Sequence, residues 1–227
     1  MGSDSSNKPK LSETYYGPTS TIPTTYVQSV HLEGKPGIFD DADYSTTSRT
    51  MRSGRRVKAI FCRNTSGITM FGGRAVTWAS GYIGRRFDGY SRTTACRVAG
   101  IIDPYLPATG VRTGDLCWLI VKGPCLVRPP LAAADFDGNT WAAGDVLYGI
   151  TAANSTGNST GATTTNEAGF LANWSGSAAA ITGTTTQSTG DLPAVMLGKV
   201  GRVISACTSG QSGAATKTLV DLDLPYC

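Results

Sequence analysis

Six cysteines, at positions 62, 96, 117, 125, 207 and 227, are the side chains of this sequence with the widest chemical reach. A thiol can attack, hold a metal or pair oxidatively, and each use needs a particular neighbour. A zinc site needs about four convergent Cys or His ligands at close spacing. No C-x-x-C pair occurs, and the single histidine, His31, stands far in sequence from every cysteine. Nucleophilic catalysis needs a base within reach of a Ser, Cys or Thr, and neither a G-x-S-x-G elbow nor a catalytic-cysteine signature is present. Gly54-Arg55 and Gly72-Gly73-Arg74 do not extend into a phosphate loop or a dinucleotide fingerprint. The paired carboxylates Asp40-Asp41 and Asp135-Phe136-Asp137 fall in loop-like sequence and read as solvated turn acids. The chain is therefore read as a non-enzyme. It has no assigned catalytic residue, no metal ligand and no cofactor, and its cysteines are expected to be buried free thiols that pack as small hydrophobes. Cys227 is expected to be more exposed.

The elements that would hold these thiols are β-strands. In GDLCWLIVKGPCLV (114–127) both alternating faces are apolar: Cys117, Leu119 and Val121 on one, Trp118 and Ile120 on the other. Such a strand is expected to be buried on both sides, in a barrel wall covered by a neighbour or by the N-terminal arm, with Lys122-Gly123-Pro124 as a tight corner between two strands. Further strands are expected in 56–64, 95–103, 146–152, 193–210 and 215–225. In the last of these Val220, Leu222 and Leu224 alternate with Leu219, Asp221 and Asp223, a half-buried pattern. Gly-Asp precedes an apolar run three times, at Gly114-Asp115, Gly144-Asp145 and Gly190-Asp191, where Gly supplies an unusual backbone angle and Asp can bond back onto its own turn.

Composition agrees with that architecture. Of 227 residues, 28 are glycine and only 16% are charged, which disfavours helical bundles and suits short strands and many turns. No run of about 18 apolar residues is present, so no membrane partner is expected. MGSDSSNKPK lacks the apolar core of a secretory signal; its M-G-x-x-x-S pattern is read as part of a plain polar arm. The expected fold is mainly β: a small antiparallel β-barrel or sandwich over 49–227, with an extended N-terminal arm over 1–48 and a long Ser/Thr/Gly-rich surface insertion over 153–190. The arm mixes prolines with Tyr15, Tyr16, Tyr26, Phe39 and Tyr44, aromatic anchors suited to lying on another surface, and TYVQSVHLEG (25–34) is its candidate short strand. Residues 49–97 hold eleven cations against one acid, a net +10 in a chain of net +4. Arg49, Arg52, Arg55, Arg56, Arg85 and Arg86 are its candidate interface residues, and contact with an acidic patch on another subunit is favoured over a merely solvated face and over nucleic acid.

TGDLCWLIVKGPCLV, WAAGDVLYGITA, LGKVGRVISA and TLVDLDLP together resemble the small β-barrel type of bacteriophage capsid decoration proteins, also called cement proteins, over about residues 95–225. The resemblance implies a structural virion protein. It would sit on the outside of an icosahedral head assembled in the host cytoplasm, bridge neighbouring major capsid proteins, and form a homo-oligomer, with a trimer favoured. It supplies no catalytic residue. Two alternatives remain: a tail-fibre or surface carbohydrate-binding module using Trp174, and a nucleic-acid-binding protein using residues 49–97, for which stacking aromatics such as Phe61, Trp78 and Phe87 lie among the arginines.

Overall fold

The computed structural model describes residues 33–43, 50–89, 98–128, 141–149, 171–173, 199–205 and 217–224. Every regular element among them is a strand: β1 Pro36–Ala42, β2 Met51–Asn64, β3 Ala75–Thr77, β4 Arg86–Phe87, β5 Val98–Ile102, β6 Leu116–Val127, β7 Val146–Gly149, β8 Leu171–Asn173, β9 Lys199–Val203 and β10 Thr218–Asp223. They join into one sheet with main path β1-β2-β6-β10-β9-β7-β8, to which β3, β4 and β5 attach as side branches. All pairings are antiparallel except the short parallel contact of β2 with β4. The mainly β fold expected from the sequence is therefore what the chain adopts. Among the described residues the sheet is not closed into a barrel: its path ends at β1 on one side and β8 on the other.

Two long strands organise the sheet. β6 is buried along nearly its whole length, on both faces, as its double apolar alternation requires. Its first half lies between β2 and β5, with Ala59 and Ile101 flanking Ile120. Its second half pairs with β10. Lys122-Gly123-Pro124 is the switch between these partners, and it is not the tight corner that Gly-Pro suggested. The register with β2 shifts between Lys58 and Ala59, so Lys58 faces Lys122 while Ala59 faces Ile120. One extra β6 residue is thus inserted, and the bulge turns Lys122 outward after the buried Val121. Gly123 has φ +95°, and a Cβ placed there would stand 2.5 Å from the Arg56 carbonyl oxygen. The strand can bend through this point because the residue carries no side chain.

The turn chemistry holds where it is described. Gly114 (φ +91°) and Gly144 (φ +96°) each sit two residues into a turn closed by Asp115 N–H to Arg112 O and by Asp145 N–H to Ala142 O, both 3.1 Å. Asp145 also accepts the Ala142 N–H at 2.8 Å, so its side chain bonds back onto its own turn. Val220, Leu222 and Leu224 are buried while Leu219, Asp221 and Asp223 are not, as the alternation in β10 predicts. The third Gly-Asp pair, residues 25–32 of the candidate strand at 25–34 and the 153–190 insertion, apart from the short strand β8, lie outside the described residues, while residues 33 and 34 of that candidate strand form a turn.

Candidate interface at the root of the arm

Residues 33–42 fall within the arm expected over 1–48, yet they are woven into the sheet. Gly34, at φ +89°, turns the chain so that its N–H reaches Phe61 O at 2.7 Å, and Phe61 N–H returns to Lys35 O at 3.0 Å. β1 then continues along β2, with Pro36 opposite Ile60 and Asp40 opposite Arg56. Backbone pairing alone would leave this a two-sided edge strand prone to fraying. Side chains fix it at three places.

The first is Glu33, whose side chain is 1% exposed. Arg63 Nε donates to one carboxylate oxygen at 2.9 Å and Arg86 Nε to the other at 2.8 Å. Arg63 also donates to the Gly114 carbonyl, and the Arg86 guanidinium lies 4.1 Å from the centre of the Tyr82 ring. Burial by itself pushes the Glu33 carboxyl up, but the hydrogen bonds from Arg86 and Arg63 outweigh it and hold the group below its ordinary value. One carboxylate thus ties the residue entering the sheet to β2, to β4 and, through Arg63, to the 112–115 turn.

The second place is the middle of β1. A Cβ on Gly37 would fall 2.7 Å from the rim of Trp118, so the backbone rests directly on the indole. Phe39 meets the same indole edge-on, with ring centres 4.9 Å apart, and Phe61 packs against it at 5.0 Å. The apolar face of β6 that required a cover is covered here by a residue of the predicted arm. The third place is Asp41, 2% exposed, which accepts Arg52 Nε at 3.0 Å and Ser53 Oγ at 2.7 Å. Neither Asp40 nor Asp41 is the turn acid expected: both lie on β1, where Asp40 is exposed and Asp41 is a buried anchor held by Arg52 and Ser53 of β2.

The six candidate arginines fall into two groups. Arg52 is bound to Asp41, Arg55 reaches Asp221 at 2.7 and 2.9 Å, and Arg86 is bound to Glu33. Their partners all lie outside the 49–97 segment, so part of its charge is neutralised within the chain itself. Arg56 and Arg85 are exposed and take part in no ion pair among the described residues. Arg49, Tyr15, Tyr16, Tyr26 and Tyr44 lie outside the described residues, as does His31. Sequence reasoning missed Glu33, the residue most tightly held; a lone acid beside a glycine carries no signal until Arg63 and Arg86 are brought to it from 30 and 53 positions away.

Cys62 and Cys117 face each other across β2 and β6, and Cys125 faces Val220; all three are free and buried. Burial raises each thiol pKa well above its ordinary value, so these sulfurs stay protonated and pack as small hydrophobes. A small surface crevice is lined by Asp40, Arg52, Tyr105, Pro124 and Cys125 among others. Among the described residues no cluster of His, Cys, Asp or Glu is arranged to hold a metal ion, and no helix is long and apolar enough to cross a membrane. No family model matches the chain, and no curated protein matches it.

Proposed function

We propose that this chain is a structural virion protein that binds the outside of an icosahedral phage capsid and cements neighbouring major capsid proteins, with residues 1–32 as the tether. The observation that carries this reading is the double ion pair at Glu33. It fixes residue 33 against β2 and β4, and the 32 residues before it in sequence carry Tyr15, Tyr16 and Tyr26. A tether anchored at a rigid root raises the local concentration of its binding residues at a neighbouring site, so it strengthens attachment without a large interface. An acidic capsid surface would suit the exposed arginines. The nucleic-acid alternative is less well supported, because Phe61 and Phe87 are fully buried, which removes them as stacking platforms.

The test is co-sedimentation with heads purified from the same source and stripped of this chain. The full chain is expected to pellet with the heads. A chain beginning at residue 33 keeps the root intact and is expected to bind at least tenfold more weakly. Equal occupancy by the two would refute the tether.

A further inference from the structure

The stretch 79–86 leaves the sheet as a small, tightly closed loop. Its root is a short antiparallel ladder in which Trp78 faces Phe87 and Ala79 N–H reaches Arg86 O at 3.0 Å. Two consecutive turns follow, closed by Tyr82 N–H to Ala79 O at 3.0 Å and by Arg85 N–H to Tyr82 O at 3.1 Å. Gly81 and Gly84 are the third residues of these turns, both at φ +77°, and a Cβ on either would meet no atom within 4 Å. The tip stands clear of the described residues. It carries Tyr82, 44% exposed, and Ile83, 60% exposed, beside exposed Arg85. The tip is nonetheless held from below. Buried Glu33 binds Arg86, and the Arg86 guanidinium lies 4.1 Å from the centre of the Tyr82 ring. The Arg85 stem runs along the backbone of Gly34, where a Cβ would stand 3.0 Å from its Cγ, and Arg63 N–H bonds Arg85 O at 3.1 Å.

We propose that this loop is a second docking element, by which the folded sheet itself seats on the shell protein, at an apolar pocket rimmed by carboxylates. The inference rests on the capsid reading and names a surface that acts beside the tether. Aromatic residues and arginine are the types that anchor protein interfaces. An anchor fixed before binding loses little freedom on docking, and the Glu33–Arg86–Tyr82 stack fixes this one. Charge selects the acidic rim. Arg85 and Lys35, which follows Gly34, are exposed and take part in no ion pair among the described residues. The nearest exposed acids in sequence lie away from the tip. Asp88 is on the far side of the Trp78–Phe87 rung, with its N–H bonded to Thr77 O, and Asp40 is towards the far end of β1, opposite Arg56. Ile83 decides for a protein over a nucleic acid: an aliphatic tip offers nothing to phosphate, and one face of Tyr82 is already taken by Arg86.

The experiment is co-sedimentation of the full chain with stripped heads. Wild type is compared with Tyr82→Ala/Ile83→Ser, with Arg85→Glu, and with Ile204→Ser, a control at an exposed aliphatic residue just after β9. Tyr82→Ala/Ile83→Ser and Arg85→Glu are each expected to bind about tenfold more weakly or worse, with the circular dichroism and melting of wild type. Tyr82→Phe keeps the ring and is expected to bind like wild type, as is Ile204→Ser. The inference is overturned, with the capsid reading intact, when wild type pellets with heads and the folded loop variants pellet equally well, or when Ile204→Ser weakens binding as much as they do. Failure of wild type to pellet overturns the capsid reading and this inference with it. Binding of single-stranded nucleic acid that is lost in Tyr82→Ala/Ile83→Ser, while head binding is unchanged, overturns the inference and assigns the tip to nucleic acid.

Discussion

Glu33 shows how much one buried carboxylate can hold in place. Its removal leaves Arg63, whose side chain is 10% exposed, as a buried cation without its counter-ion. Breaking such a pair from one side costs about 3 kcal/mol or more. Glu33→Gln is therefore expected to lower unfolding stability at neutral pH by about that amount in denaturant titration. The effect has a direction in pH. The folded carboxyl titrates below its ordinary value because Arg86 and Arg63 outweigh burial, so its contribution is present above the ordinary carboxylate range and is lost as pH falls through the depressed value. The gap between wild type and Glu33→Gln should accordingly narrow on going from pH 7 to about pH 3. A gap of equal size at both pH values would contradict the ion-pair account. None of this was legible in the sequence, where Glu33 is a single acid in an arm. The cysteines were legible, because their lack of ligand spacing and their place in apolar runs both pointed to packing, and Cys62, Cys117 and Cys125 do pack.

At the scale of elements, periodicity carried the strands and failed at their irregularities. The alternation of β10 and the two apolar faces of β6 could be read directly, because each follows from side chains pointing to opposite sides of a strand. The bulge at Lys122 could not, because a register shift depends on which strand lies opposite, and β2 is more than fifty residues away in sequence. Lys-Gly-Pro looks the same whether the chain reverses or only bends. The bend makes a sharp contrast between two glycines. At Gly123, φ +95° disfavours any other residue and a Cβ would press on the Arg56 carbonyl, so Gly123→Ala is expected to cost more than about 2 kcal/mol. Gly54, on β2, has no atom within 4 Å of a Cβ position and no positive φ. Gly54→Ala is expected to be neutral or to stabilise by up to about 1 kcal/mol. Thermal unfolding of the two variants side by side checks the assignment, and an equal loss in both would contradict it. β1 was misplaced for a related reason: PGIFDDA has no clear alternation, and it becomes a strand because Trp118, Arg52 and the backbone of β2 complete it.

At the scale of the whole molecule, the described chain is an open β sheet whose first strand is locked at its entry, its middle and its far end. The proposed cement reading would give the locked first strand a use, as a fixed root for a tether. The most direct measurement is cryo-electron microscopy of heads isolated from the source of this chain, with the full chain bound. The account predicts density for the ten-stranded sheet on the outer surface at junctions between major capsid proteins, with a strand of density running from Glu33 onto an adjacent subunit. Heads that carry no copy of the chain on the outer surface at saturating concentration would contradict it.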